Sequence, residues 1–275
     1  MSVPAANGAV VVALPRPVRS HGPSAFLRDT ALITQRHLLR TRRTPQIIVL
    51  SAVMPIMFVL LFRYVFGGSI LVPGYDSYVD FLIPGILVQT VIFGASSTTV
   101  GLADDLSTSV TDRFRSLPIH RGAILAARTV ADLIRLSYTM VLLIGVGFLV
   151  GFHTHAGVLH VLAGLAIALF FGYACSWLFA LLALAVRHPE TAQVAAFMVT
   201  FPFVFAASTF TTTANMPGWL RTFADAQPVT RVVNALRVLM DGTGPAARPA
   251  LYALAWSAGI LLVAASLATW RFRKG

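Results

Sequence analysis

Six apolar stretches, near residues 46–66, 79–103, 129–152, 158–186, 192–210 and 249–270, run through this chain, each bounded by charges, prolines or glycines. A helix needs about 20 residues to cross the hydrocarbon core of a bilayer, and each stretch is near or above that length. Backbone groups in lipid must be satisfied within the segment, so helix is the expected structure. Pro55 and Pro84 kink their helices without breaking them, and the alternation of a membrane β-barrel is absent. With 57% hydrophobic residues among 275 and a mean hydropathy of +0.78, the chain is an integral membrane protein. The expected fold class is all-α, with six transmembrane helices.

The net charge of +11 is informative through its placement. Seven arginines lie in residues 1–45, four in 104–128, one at Arg187, and Arg271, Arg273 and Lys274 close the chain, which puts 15 of 21 basic residues on one side of the predicted topology. The opposite loops near 67–78 and 153–157 hold none, and 211–248 holds four. The positive-inside rule therefore places both termini in the cytoplasm and removes the nucleic-acid reading that the charge would otherwise invite. The one cysteine, Cys175, sits within a span, which excludes an intrachain disulfide and a cysteine metal cluster. The "AVVVAL" run near the start is too short for a secretory core, and its arginines follow it.

Residues 1–23 read as a disordered tail, and 24–275 as a single membrane domain. From Ser24, a candidate N-cap, "SAFLRDTALITQRHLLRTRR" sets apolar residues among arginines, the pattern of an amphipathic interfacial helix. Before the last span, "MPGWLRTFADAQPVTRVVNALRVLM" predicts two short helices, interfacial or re-entrant, with Pro217 and Pro228 in their first turns. Val229, Val232, Val233, Leu236 and Met240 share one face of the second, with Arg231, Asn234 and Arg237 turned elsewhere.

The chemistry this chain lacks narrows its role. Its single lysine, Lys274, is followed only by Gly275, so no ordinary phosphate-cradling loop can be assembled. Asp80, Asp104 and Asp132 read as span-end residues, leaving no midplane carboxylate for ion coupling, and Asp132 can pair with Arg135 three residues on. His153, His155 and His160 have no acid or cysteine nearby in sequence to complete a metal site. The hydroxyls Ser96, Ser97, Thr98 and Thr99 have no adjacent histidine base and suit helix–helix bonding. What remains is a membrane body without its own energy source.

Three stretches then carry a resemblance. "ADDLSTSVTDRFRSLPIHRGAILAARTVADLIR" links the second and third spans, "RHPETAQ" precedes the fifth, and the 216–240 segment precedes the sixth. In this order they resemble type-2 ATP-binding-cassette exporter permeases, most closely the daunorubicin-resistance-type antibiotic permeases, over roughly residues 25–272. His188 stands where that family more often has asparagine.

The resemblance implies a permease half in a bacterial cytoplasmic membrane that exports an amphipathic, drug-like or lipid-like compound. It implies a second permease chain, identical or not, and separate cytoplasmic ATPase subunits that hold the ATP and Mg; this chain itself binds no cofactor and catalyses nothing. By similarity, 24–44 is the connecting helix, and Asp112, Arg113, Phe114, Arg115, Leu117, Pro118 and Arg121, with Glu190, face the ATPase. Ser96, Ser97, Thr98 and Thr99 on the second span and Phe201, Phe203, Phe205 and Phe210 on the fifth are the candidate substrate path. An ion-coupled exporter and a non-transporting anchor or assembly protein are the alternatives.

Overall fold

The computed structural model describes residues 23–42, 45–70, 72–75, 77–107, 121–186, 188–242 and 244–274. The tail expected to be disordered lies outside them up to residue 22, as does 108–120. The regular structure among the described residues is helical: α1 Pro23–Arg42, α2 Pro45–Leu61 with a π-helical turn over Phe62–Phe66, α3 Tyr78–Ser107, α4 Arg121–Leu149, α5 Val158–Val186, α6 Pro189–Phe205, α7 Gly218–Ala226, α8 Pro228–Asp241 and α9 Ala247–Lys274. Among the described residues five segments are long and apolar enough to cross a membrane: Val49–Phe66, Tyr78–Ser107, Leu125–Leu149, Val158–Val186 and Ala247–Phe272. With 17 residues, α6 is shorter than these. Pro55, Pro84 and Pro202 sit inside helices that continue past them.

The bundle is built around α3, which has 83% of the residues buried in its apolar 18-residue stretch, against 11% in that of α2. It packs against α4, α5, α6 and α8. Small residues allow this. A Cβ at Gly85 would collide with the Thr209 carbonyl, and one at Gly172 of α5 would press on Val91, so glycine lets the backbones approach where lipid gives no hydrophobic drive for association. By contrast α2 keeps Leu50, Met54 and Met57 largely exposed, as expected of a helix that faces lipid or another chain.

The amphipathic α1 begins at Pro23, so Ser24 is inside the first turn and not the cap. It docks on α4, where the Thr34 hydroxyl donates to the Ala127 carbonyl at 3.2 Å. Its His37 is held below its usual pKa of 6.5, first by burial and then by the Arg128 guanidinium, with Asp105 and Asp132 opposing and Arg36 adding to the effect.

The segment before the last span departs from expectation at two residues, Pro217 and Arg237. Pro228 opens α8 and Pro217 caps α7 from just outside it. Val229, Val232, Val233, Leu236 and Met240 are all buried, and Gly242 ends α8 in the left-handed conformation that glycine tolerates best. Arg237, however, does not turn elsewhere. It is buried, with its guanidinium carbon 3.4 Å from the Phe81 ring centroid. Its Nε donates to the Phe81 carbonyl at 3.1 Å, and its Nη atoms donate to the Ser208 hydroxyl and to the Ser208 and Thr209 carbonyls. The planar fork satisfies the turn after α6 and the first turns of α3 together, which a lysine cannot do. Burial lowers its pKa to about 9, so it stays cationic at neutral pH.

Two outcomes follow. Arg237→Met removes the side-chain donor from three carbonyls and should cost at least about 2 kcal/mol of stability, with Arg237→Lys intermediate, measured as unfolding of the purified protein in lipid. Because His37 is held below its unfolded pKa, the unfolded chain takes up the proton first; stability is full above about pH 6.5 and falls as pH drops below it. His37→Leu should flatten that dependence, read as the unfolding midpoint between about pH 7.5 and about pH 5.5.

Candidate functional site

Arg128, Asp132 and Arg135 lie one and two turns apart on one face of α4, against the face of α3 that carries Gly94, Ser97, Thr98, Gly101 and Asp105. The Thr98 hydroxyl donates to Asp132 Oδ2 at 2.6 Å. Arg135 Nη2 donates to the Ser97 hydroxyl at 2.6 Å and to the Gly94 carbonyl at 3.0 Å, and reaches Asp132 Oδ1 at 3.4 Å. Arg128 pairs with Asp105 at 2.9 Å and lies 3.8 Å from Asp132. The pairing of Asp132 with Arg135 is as the spacing predicts, but Asp132 is not a span-end residue. It is buried seven residues into the Leu125–Leu149 span, about 10 Å along the helix. Two arginines and a hydroxyl make that depth tolerable for a carboxylate.

Beside this seam, α2, α3 and α4 enclose a cavity of about 310 Å³. Leu50, Met54 and Phe58 of α2 form one wall, and Phe93 and Leu136 form part of the other. The polar groups reaching it include Gln89 and Ser97 of α3 and Arg135 and Thr139 of α4. Gln89 is buried, and its Oε1 has no hydrogen-bond partner among the described residues. Leu50 and Met54 are exposed on the bundle surface, so the cavity is a groove at its flank. Another groove, of about 360 Å³, lies between α5, α6 and α9; apart from Arg271 its lining residues are apolar or aromatic, including Leu178, Val199 and Trp270.

The eight substrate-path candidates separate. Ser97 lines the groove. Ser96 bonds the Phe93 carbonyl of its own helix, Thr98 holds Asp132, and Thr99 donates to the Phe179 carbonyl of α5. Phe201 and Phe205 stack with centroids 4.2 Å apart, and Phe205 continues to Phe210 at 5.4 Å. Phe210 in turn stacks on Phe62 at 4.4 Å and on Phe58 at 6.0 Å. The aromatic ladder of α6 thus ends on Phe58, a wall of the groove, while Phe203 turns to Phe223 of α7.

Of the ATPase-facing candidates, Asp112, Arg113, Phe114, Arg115, Leu117 and Pro118 lie outside the described residues. Arg121 begins α4, and Glu190 is exposed in the first turn of α6, where a carboxylate is favoured by the helix dipole. The His155 ring lies 3.5 Å from Asp241, and no group of three metal-ligating side chains occurs among the described residues. Gln89 and the Arg128–Asp105 pair were not singled out from sequence. An amide in the middle of an apolar run was the available signal for the first.

The residues and their order match known proteins. The family model described as ABC-2 type transporter matches residues 28–240. The chain is 31% identical to the daunorubicin resistance ABC transporter permease protein DrrB1 of Streptomyces coeruleorubidus, over 94% of this chain and 89% of that protein. It is 28% identical to the probable doxorubicin resistance ABC transporter permease protein DrrC of Mycobacterium tuberculosis, over 87% of this chain and 86% of that protein. The span of these matches, from α1 through α8, shows that the chain belongs to the ABC-2 type transporter family.

Proposed function

We propose that this chain is the membrane permease subunit of an ATP-driven exporter that moves an amphipathic, drug-like or lipid-like compound out of a bacterial cell. The observation that carries the reading is a groove with apolar walls and a few polar groups, open at the flank of a membrane bundle in an ABC-2 family chain. Relatives bearing the names of drug-resistance permeases support the cargo class. In this reading α6 is a sixth span, both termini are cytoplasmic, and the protein resides in the cytoplasmic membrane with most basic residues inside.

Energy comes from two cytoplasmic ATPase subunits that bind ATP and Mg, and a second permease chain completes the pathway. The 108–120 link, Arg121 and Glu190 contact the ATPase, and α1 lies on the inner surface beside them. Closure of the ATPase pair on ATP moves these contacts, and α4 carries the movement to the groove, because α1, Arg128, Asp132 and Arg135 all attach along it.

Inside-out vesicles containing the chain and its ATPase should accumulate a fluorescent amphipath with ATP when ion gradients are collapsed. Transport abolished by a protonophore at constant ATP would instead favour an ion-coupled exporter. Reversing charge with Arg113→Glu and Arg115→Glu should leave membrane insertion intact and weaken ATPase co-purification by roughly 30-fold or more, the scale of about 2–5 kcal/mol for interfacial charge pairs. Wild-type transport by a correctly inserted double variant would reduce those arginines to topology signals.

A further inference from the structure

We infer that the groove between α2, α3 and α4 recognises an amphipath through a hydrogen-bond acceptor at its polar end, a carbonyl or carboxylate oxygen, and rejects an amine there. The inference names the cargo chemistry of the proposed exporter and rests on that reading for its biological role.

The groove's volume of about 310 Å³ is at the lower end of small-molecule sites, and its apolar walls with few polar groups fit that class. Its electrostatic face is set by how the seam is wired. Asp132 spends its oxygens on Thr98, Arg135 and Arg128, and it is Arg135, not Asp132, that lines the groove. A guanidinium carries five N–H donors on three nitrogens. The bonds of Arg135 to Gly94, Ser97 and Asp132 all use Nη2, so Nε and Nη1 have no hydrogen bond among the described residues. An acceptor would complete them. An ammonium group would meet the Arg135 charge and find no carboxylate among the described residues of the groove wall.

Gln89 adds a second contact. A buried amide end without a partner is unusual, and it lies eight residues from Ser97 on the same helix, about 12 Å along the axis. Phe93 lies between them on the groove wall, with Phe58 across from it. A ligand with its acceptor at Arg135 and an apolar body along these rings brings a distal hydroxyl to Gln89, whose amide can donate or accept by a flip.

The test uses the full chain in nanodiscs with Met54→Cys at the groove wall and Cys175→Ala removing the native thiol. The rate of modification by a methanethiosulfonate is followed with decanoate, decanamide, decylamine or ω-hydroxydecanoate. Decanoate and decanamide should each slow modification at least about threefold, decylamine should not, and ω-hydroxydecanoate should protect at about tenfold lower concentration than decanoate, the scale of one hydrogen bond to a buried group. Protection by decanoate but not decanamide would narrow the acceptor to a carboxylate. Arg135→Met should abolish protection.

Because Arg135 also ties α4 to α3, Gln89→Leu is the second variant. It removes an unpaired polar group, should not lower stability, and should erase the advantage of the ω-hydroxyl while leaving decanoate protection intact. Equal protection by decylamine, no protection by any probe, or a hydroxyl advantage that survives Gln89→Leu overturns the inference. Binding is read here without ATP. Protection without ATP-driven transport would remove the exporter reading and leave the site, whereas transport without protection would remove the site alone.

Discussion

The contact on which the rest of this bundle depends is the buried Asp132, held between Arg128 and Arg135 and capped by Thr98. In lipid an isolated carboxylate at that depth would be driven to its neutral form, and an isolated arginine would pull its helix toward water. Together with Asp105 the four side chains sum to zero charge, and further bonds tie them to α3 at Ser97, Thr98, Gly94 and Gly101. The seam therefore fixes the register of α4 against α3, since a shift of one residue would separate donors from acceptors. A merely apolar contact between two membrane helices has no such selectivity.

Toward the other end of α3, Arg237 does the corresponding work. It fastens α8 and the turn after α6 to Phe81 through a ring face and backbone carbonyls. With α3 clamped at both places, α2 is left as the lightly packed partner. It is attached through the aromatic contacts of Phe58 and Phe62 with Phe210 and through its packing on α4. A rigid pair of helices beside a loosely held one is the arrangement in which a flank groove can open and close while the seam stays intact, and it is the groove, not the α3 core, that presents unpaired donors.

The helices and their ends were largely legible, because lipid compels a long apolar run to be a helix and charges, prolines and glycines mark its limits. The valine face of α8 and the Asp132–Arg135 pair were legible for the same reason: both are periodicities within one helix. Arg237 was not, because its partner Phe81 lies 156 residues away and nothing within α8 reports an aromatic face in that position. Hydropathy sets Asp132 at a span end because it trims a span at its charges, whereas a carboxylate paired with arginines can lie within one. The groove is assembled from three helices whose lining residues share no local spacing. Only Ser97, among the residues chosen for the substrate path, belongs to it, and the phenylalanines reach it through Phe58.

The most direct measurement is a double-mutant cycle between Asp132→Asn and Arg135→Met, with stability determined by reversible unfolding in a bilayer. If the seam is the organising contact, the two changes should couple by at least about 1 kcal/mol, with the double variant less destabilised than the sum of the singles. Effects that add to within about 0.3–0.5 kcal/mol would mean that the two side chains act independently and that α3 and α4 are held together by packing alone.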